Sequence, residues 1–201
     1  MVTEEATQII DGALLSDLSL YHYHHQIRAS MAQSGRNHID WVTIVAQSFI
    51  KLGVIAHCKI YDDIKKYPNG YCQLWTRGHP LTSALYERWY PSGKKAIPTD
   101  LILTPVSLAN WFLGDGSSTQ YGNSVTVKLS TQGFNIEDMN KLLTLLCDMG
   151  VHGFHMNKCG NYHALYMGRK EDVLKFINTI KPFIPNSFGY KLKNPGNYKM
   201  Q

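Results

Sequence analysis

The sequence predicts an α+β protein built from two related halves, each with the element order αββαββα. Three observations support this: an apolar helical segment ending at an aspartate occurs twice, alternating polar and apolar segments follow each, and further similar segments recur in order. The two aspartates, Asp17 and Asp115, lie 98 positions apart in the 201-residue chain. We therefore expect an N-terminal repeat over residues 1–98 and a C-terminal repeat over residues 99–201.

Three further pairs of segments support the duplication. FIKLGV is similar to LLCDMGV, YCQLWTR is similar to YHALYMG, and GKKAIP has a looser counterpart in GYKLKNP. The last pair aligns Lys95 with Lys191. Because the pairs keep the same order at nearly one offset, they indicate two copies of one structural unit.

The elements of each copy have their own sequence signals. Thr104-Pro105 begins the second motif helix, with a hydroxyl for the N-cap and a proline at the first helical position. In the first copy we expect Thr3 to be the cap, with Glu4 and Glu5 favourably placed at the positive end of the helix dipole. The glycine that follows the acid in GDG is expected to end the second helix in a left-handed conformation. Two alternating strands, a second helix, two more strands and a last helix complete each unit.

The two motif helices are apolar nearly all round, so both should be buried. We expect them to pack against each other about a pseudo-twofold axis, which would bring Asp17 and Asp115 together. Two carboxylates in a low dielectric repel unless a cation lies between them, and a divalent ion such as Mg²⁺ meets that need. A single aspartate at a helix end is usually a capping residue, but the duplication at matching positions favours a metal site.

Composition narrows the functional classes. The net charge of +5 is compatible with a partner that carries phosphates. The four cysteines lack the close C-x-x-C spacing of a zinc or redox site, which predicts reduced thiols. The start MVTEEATQ has neither a basic region nor a signal-like apolar run. We therefore expect an intracellular protein, in a bacterial or archaeal cytoplasm or in an organelle that encodes it, without a signal or transit peptide.

The segments LTPVSLANWFLGDGSS and LSTQGF resemble the second repeat of the LAGLIDADG homing endonucleases, in particular the single-chain, intron-encoded members. YPSGKKAIP and SFGYKLKNP resemble other landmarks of that group, and the resemblance extends from about Ile9 to Pro195. It implies motif helices at the interface of the two repeats, and two saddle-shaped antiparallel sheets that lie along the DNA major groove. It also implies a monomer that cuts both strands of a long DNA target.

The resemblance further implies a role for six residues near the ends of the motif helices. Two acids bind the metal, the residue before each acid offers its backbone carbonyl, and one lysine lies near each active site. Mg²⁺ is the expected cofactor, Mn²⁺ is expected to substitute for it, and Ca²⁺ is expected to bind without supporting cleavage. The residues are, in that order, Asp17 and Asp115, Ser16 and Gly114, and Lys95 and Lys191.

The first motif departs from the family pattern of glycine, acid and glycine, because this chain has Ser16-Asp17-Leu18. Leucine does not adopt the left-handed conformation cheaply. A first site that has decayed, so that one strand is nicked or none, is therefore a second possibility.

DNA contacts are expected from side chains on one face of the strands, with other lysines holding phosphates. The alternation alone leaves open which face meets the DNA, although long donors suit guanine edges and phosphates alike. The predicted contacts are Arg28, Ser30, Lys59, Gln73, Trp75, Arg77, Lys128, Ser130, Gln132 and Lys158.

Two other functions fit the same scaffold. One is an RNA-binding splicing cofactor, a maturase, which needs a basic surface but not two working acids. The other is a DNA-binding regulator without catalysis, which would leave Lys95 and Lys191 idle. Retention of both acids favours the nuclease, and the substitution Asp115→Asn distinguishes it from a maturase, which would keep its support of splicing.

Overall fold

The structure, a computed structural model, describes residues 2–61, 63, 65–122 and 124–193. The first repeat has the predicted order αββαββα. A short 3₁₀ helix, Arg36–His38, precedes its second α-helix. The elements are α1 (Val2–Leu14), β1 (Ser19–Tyr23), β2 (Gln26–Ser34), α2 (Ile39–Lys51), β3 (Ala56–Tyr61), β4 (Tyr71–Thr76) and α3 (Pro80–Trp89).

The second repeat has the same order, which confirms the predicted fold class. The expected boundary between residues 98 and 99 falls in the connection between α3 and the next helix. Two 3₁₀ helices, Lys181–Phe183 and Asn186–Lys191, follow the last α-helix, and Pro195 of the family-like segment lies outside the described residues. The elements are α4 (Pro105–Asp115), β5 (Gly116–Tyr121), β6 (Ser124–Ser130), α5 (Ile136–Asp148), β7 (His155–Cys159), β8 (Tyr162–Met167) and α6 (Lys170–Ile180).

Each repeat contributes one four-stranded antiparallel sheet. The strand order is β1-β2-β4-β3 in the first sheet and β5-β6-β8-β7 in the second. One face of each sheet is buried by the helices, through residues such as Ala29, Leu74, Leu129 and Leu165. The residues of the other face alternate with these along each strand. None of the eight strands contains an aspartate or a glutamate. The outer faces are therefore polar and free of negative charge.

The motif helices α1 and α4 pack against each other in the centre of the molecule. Their backbones approach closely at Gly12, where a Cβ would lie 2.7 Å from the Cβ of Asn110 and even closer to the carbonyl oxygen of Ser107. Asn110 is buried, and its Oδ1 accepts a hydrogen bond of 3.0 Å from Nε1 of Trp41. This packing fixes the relative position of the two helix ends.

Two expectations about the helix ends are wrong. Gly116 follows α4 in an extended conformation, with φ −84° and ψ 146°, rather than a left-handed one. Glycine is needed there because a Cβ would collide with the side chain of Phe112. In the first repeat, α1 already begins at Val2, so Thr3 lies inside the helix and does not cap it.

The start of α4 is as predicted. Thr104 is the N-cap, its hydroxyl accepts a hydrogen bond of 3.2 Å from the amide of Ser107, and Pro105 is the first helical residue. Because Gly116 is extended, Leu18, which follows the acid of the first motif, needs no left-handed conformation either. Leu18 is fully buried, and its amide donates to the carbonyl of Ala13 at 3.0 Å.

None of the described helices has the length and apolar character that crossing a membrane would require.

Candidate active site

The two motif acids meet where α1 and α4 end. A Cβ on Gly114 would lie 2.7 Å from Oδ2 of Asp17 and 2.6 Å from the Cβ of Ser16. Asp17 therefore lies against the backbone of the residue that precedes Asp115. Glycine at position 114 leaves room for this approach, in agreement with the expected juxtaposition.

The pKa of Asp115 is that of a carboxyl held close to a second negative charge. The pKa of the Asp115 carboxyl is raised to about 7, first by burial and then by the charge of Asp17, against the lowering effect of Lys95 and Lys191. Among the described residues, neither Asp17 nor Asp115 takes part in an ion pair. The two carboxylates are thus close together without a side-chain cation bound directly to either.

Lys95 and Lys191 lie beside the acids but donate to backbone carbonyls. Nζ of Lys95 donates to the carbonyl oxygens of Ser16 and Leu18, at 3.3 and 2.9 Å. Nζ of Lys191 donates to those of Leu113 and Gly114, at 2.6 and 3.4 Å. Each ammonium group therefore closes the carboxyl-terminal end of the motif helix of its own repeat, where the helix dipole favours a positive charge.

Of the two acids, the one in the other repeat has the larger effect on the pKa of each lysine. Burial lowers the pKa of Lys95 to about 8, and Asp115 opposes this more than Asp17 does. Burial also lowers the pKa of Lys191, and here Asp17 opposes it more than Asp115 does. We refer to the surroundings of Lys95 and of Lys191 as the two centres, since Asp115 has the larger effect of the two acids on the first lysine and Asp17 on the second.

The donor set fits a magnesium-type ion. The described residues contain no cluster of three or more His, Cys, Asp or Glu side chains that would form a complete protein cage. Mg²⁺ usually binds one or two carboxylates and takes its remaining ligands from water and substrate phosphates. Two adjacent carboxylates without ion pairs are suited to that mode. The carbonyls of Ser16 and Gly114 each accept a hydrogen bond from a lysine, at 3.3 and 3.4 Å.

The centre around Lys95 opens into a cavity of about 180 Å³. Ser16, Asp115, Ser130 and Gln132 line it together with Lys95. Gln132 was expected on a strand, but β6 ends at Ser130 and Gln132 lies in the following loop. The structure thus brings Gln132 to the acid–lysine centre rather than to a sheet face.

The candidate DNA contacts of the first repeat share the outer face of the first sheet. Ser30 is paired with Trp75 and Lys59 with Gln73, and paired residues project to the same side. The guanidinium carbon of Arg28 lies 3.9 Å from the ring centre of Tyr23, and its Nε has no partner among the described residues. Six candidates lie on this face: Arg28, Ser30, Lys59, Gln73, Trp75 and Arg77.

In the second repeat the candidate DNA contacts lie on different faces of the sheet. Lys128 is paired with Ser117 and Tyr166 on the outer face of the second sheet, and Ser130 follows it with the same orientation. Lys158 is instead paired with His163, in the alternation that contains the buried Leu165 and Met167. The expectation for Lys158 is therefore corrected: it lies on the helix side of the sheet, apart from Lys128.

Sequence reasoning missed two residues that reach the centres from the opposite repeat. His38 hydrogen-bonds to the hydroxyl of Tyr190, next to Lys191, with Nε2 and oxygen 3.2 Å apart. Oδ1 of Asp138 accepts from the amide of Ile97, two residues after Lys95, at 3.3 Å. Neither residue belongs to a recurring motif, so only the tertiary structure identifies them.

The molecule consists of two pseudo-symmetric αββαββα units, and their central helices bring two acids together. These features define a class of two-repeat proteins with a paired-carboxylate site. A sequence model of the LAGLIDADG DNA endonuclease family matches residues 7–176. The chain belongs to this family, as its motifs suggest.

Related sequences come from archaea and yeasts. An uncharacterised protein of Methanocaldococcus jannaschii is 29% identical over 98% of this chain and 77% of its own length. The cytochrome b mRNA maturase bI2 of Debaryomyces hansenii is 32% identical over 62% of this chain, and a probable intron-encoded endonuclease of Wickerhamomyces canadensis is 35% identical over 49%. Each of these two matches spans only 45% of the relative's length.

Solved structures of the same fold include DNA complexes. The homing endonuclease I-WcaI, bound to its DNA recognition sequence, matches 95% of this chain and 87% of its own, with a TM-score of 0.79 and 21% identity. I-DmoI in complex with DNA and Ca matches 96% of this chain and all of its own, with a TM-score of 0.60 and 14% identity. At these identities the likeness establishes the fold alone.

Proposed function

We propose that this protein is a homing endonuclease, a metal-dependent enzyme that cuts both strands of DNA at one long target sequence. The observation that carries the proposal is the convergence of Asp17 and Asp115 beside two lysines, with no ion pair from either acid to another described residue. Two adjacent carboxylates repel each other unless one takes up a proton or a cation lies between them, so the presence of both acids favours a metal-dependent enzyme.

The outer faces of the two sheets are the proposed DNA-binding surface. The absence of acids from all eight strands removes repulsion from a polyanion, while Arg28, Arg77 and Lys128 add positive charge. The guanidinium of Arg28 lies over the ring of Tyr23 on this surface, and long donors of this kind suit base edges and phosphates alike. I-WcaI, the relative with the TM-score of 0.79, is bound to DNA, which supports the same substrate class here.

The chain's own residues would divide the chemistry as follows. Asp17 and Asp115 hold the cation, and the backbone carbonyls of Ser16 and Gly114 complete its protein ligands. The cation, when bound, supplies a Lewis acid for the phosphate and lowers the pKa of a bound water. Lys95 and Lys191 place a positive charge next to the phosphate, where negative charge develops during attack.

One centre acts on each strand in this proposal. Lys95 is coupled to Asp115 and Lys191 to Asp17, so each centre holds one lysine and one nearby acid. Mg²⁺ is the proposed cofactor; relatives of the same fold have been studied in complex with DNA and Ca, Mg or Mn. A single chain contains both centres, so a monomer suffices.

A cleavage selection tests the proposal. Purified protein is incubated with a library of random duplex sites, in Mg²⁺ or in EDTA, and cut ends are sequenced. Metal-dependent cuts at one shared sequence, abolished in Asp17→Asn and Asp115→Asn, are the expected result. Failure to cut, with library coverage verified by a nuclease of known target, would refute the proposal.

A second candidate function, intron splicing support, is favoured by one observation: a relative 32% identical over 127 residues is named a cytochrome b mRNA maturase. Asp115→Asn separates the two functions. A nuclease loses cutting and keeps DNA binding, whereas a maturase keeps its effect on the splicing of its intron.

A further inference from the structure

Each catalytic lysine of the proposed nuclease follows the last helix of its own repeat. A side chain of the other repeat nevertheless contacts the segment around each lysine, and we call each of these two contacts a tie. Lys191 is preceded by Phe188 and Tyr190, and Lys95 is followed by Ile97. Both ties start near the beginning of the second helix of the opposite repeat: at His38, which directly precedes α2, and at Asp138, in the first turn of α5.

The tie at Lys191 consists of a hydrogen bond and a stacked ring pair. The rings of His38 and Phe188 are stacked with centroids 5.0 Å apart and an interplanar angle of 15°. Nδ1 of His38 is 3.0 Å from Oε1 of Gln33, which can only accept, so Nδ1 carries the hydrogen and Nε2 accepts from the hydroxyl of Tyr190. Both nitrogens of the ring are therefore used.

The comparison between repeats shows that His38 makes this contact at a position where the second repeat has a local one. Asn135 occupies the equivalent position before α5 and caps that helix, with Oδ1 accepting from the amide of Asp138 at 2.8 Å. His38 makes no capping bond to α2. The backbone at His38 is helical, with φ −86° and ψ −11°, whereas that of Asn135 is extended, with φ −79° and ψ 173°. An N-cap residue needs the extended conformation, so position 38 is not built to cap α2, and its side chain contacts the other repeat.

The tie at Lys95 is a hydrogen bond from a backbone amide to a side-chain oxygen. Oδ1 of Asp138 accepts from the amide of Ile97, and both residues are buried. Pro98 and Thr99, which follow Ile97, line a shallow cavity together with Glu137 and Lys141 of α5. The segment that carries Lys95 thus rests on the second repeat.

We propose that His38 and Asp138 are positioning residues, each of which holds the lysine of the opposite repeat at its centre. This inference rests on the proposed nuclease function for its effect on catalysis, but not for its effect on the lysines themselves. Displacement of an active-site group by about 1 Å can slow a reaction by about 100-fold, so loss of a tie is expected to slow one strand selectively.

Strand-resolved cleavage of an end-labelled target is the first test. Lys191→Met and Lys95→Met define which strand depends on which lysine. His38→Asn, which keeps a polar side chain but removes the ring that stacks on Phe188, should slow the Lys191 strand about 10- to 100-fold and let nicked product accumulate. Tyr190→Phe should slow the same strand less. Asp138→Ala should slow the Lys95 strand, while Asp138→Asn, which keeps the acceptor oxygen, should restore it.

Lysine acetylation by acetic anhydride, followed by mass spectrometry, tests the ties without any cleavage. His38→Asn should raise the labelling rate of Lys191 and leave Lys95 unchanged, Asp138→Ala should do the reverse, and the exposed Lys193 serves as the internal standard. If each variant raises the labelling of only the lysine of the opposite repeat but the protein cuts no DNA, the ties would be supported and the proposed nuclease function refuted. Equal changes at both lysines, or at neither, would overturn the inference.

Discussion

Asp17 and Asp115 occupy equivalent positions in the two repeats, but their surroundings differ. Asp17 is exposed, whereas Asp115 is partly buried and has a pKa raised to about 7. The duplication thus preserved the two acids and not their environments. If the proposed cation binds between them, it is expected to displace a proton from Asp115.

The metal-free protein is expected to lose stability as the pH rises because of Asp115. A carboxyl whose pKa is higher in the folded than in the unfolded state binds its proton more tightly when folded, so ionisation penalises the folded state from about pH 4 up to about pH 7. Asp115→Asn removes this penalty. We expect the variant to melt at a higher temperature than the wild type at pH 8 in EDTA, and with little difference at pH 4.5.

The corresponding measurement is a pair of thermal denaturation series with and without Mg²⁺. Mg²⁺ should stabilise the wild type at pH 8 and not the variant, because binding to the folded state adds to its stability. A difference in melting temperature that is the same at both pH values would contradict the raised pKa of Asp115.

At the scale of single elements, the contact between α1 and α4 depends on one glycine. Gly12→Ala would place a Cβ against the backbone of Ser107 and the Cβ of Asn110, which cannot both withdraw inside a packed interface. We expect a destabilisation of about 2–4 kcal/mol in urea denaturation. Gly133→Ala is the matched control, because nothing lies within 4 Å of its Cβ, and it should be nearly neutral.

The cap of α4 contributes a smaller amount. The Thr104 hydroxyl accepts from the Ser107 amide and also donates to Oε1 of Gln8 in α1, at 3.0 Å. Thr104→Ala should cost about 1–2 kcal/mol of unfolding free energy. Thr144→Ala removes a threonine hydroxyl that bonds only to the carbonyl of Asn140 in its own helix, and it should change stability by less than about 0.5 kcal/mol. Equal losses in the two variants would show that the cap has no special role.

The sequence allowed the elements to be predicted because their signals are local. The alternation of polar and apolar residues and the Thr104-Pro105 start depend on neighbours within a few positions. The end of α4 was misjudged because Gly116 is required by Phe112, a packing contact that has no local backbone signature. For the same reason His38 and Asp138 escaped notice, since each acts on a segment of the other repeat.

At the scale of the whole molecule, the sheets have one face suited to DNA and one buried by helices. Strand alternation indicated the two sets of residues, but only the register assigned Lys128 to the outer face and Lys158 to the inner one. In a short strand that ends in solvent, such as β7, the alternation of residues does not show which of the two alternating sets is buried.

This assignment predicts different salt dependences of DNA binding for the two lysines. Lys128→Gln should reduce the slope of log K against log salt by about 1, because one phosphate contact or its electrostatic equivalent is lost. Lys158→Gln, the same change on the other face, should leave the slope unaltered. Fluorescence anisotropy of a labelled duplex between 50 and 300 mM salt, in Ca²⁺ to prevent cutting, provides the measurement, and equal slopes for both variants would reject the assigned face.

The placement of each acid next to the lysine of the other repeat has a consequence for how the protein is made. A nascent chain that has left the ribosome only as far as residue 98 contains Asp17 and Lys95 but neither of their counterparts, Asp115 and Lys191. In the proposed nuclease neither centre is then complete, so an interrupted translation product is expected not to cut DNA. The duplicated architecture would in that way link the proposed activity to the completion of the polypeptide.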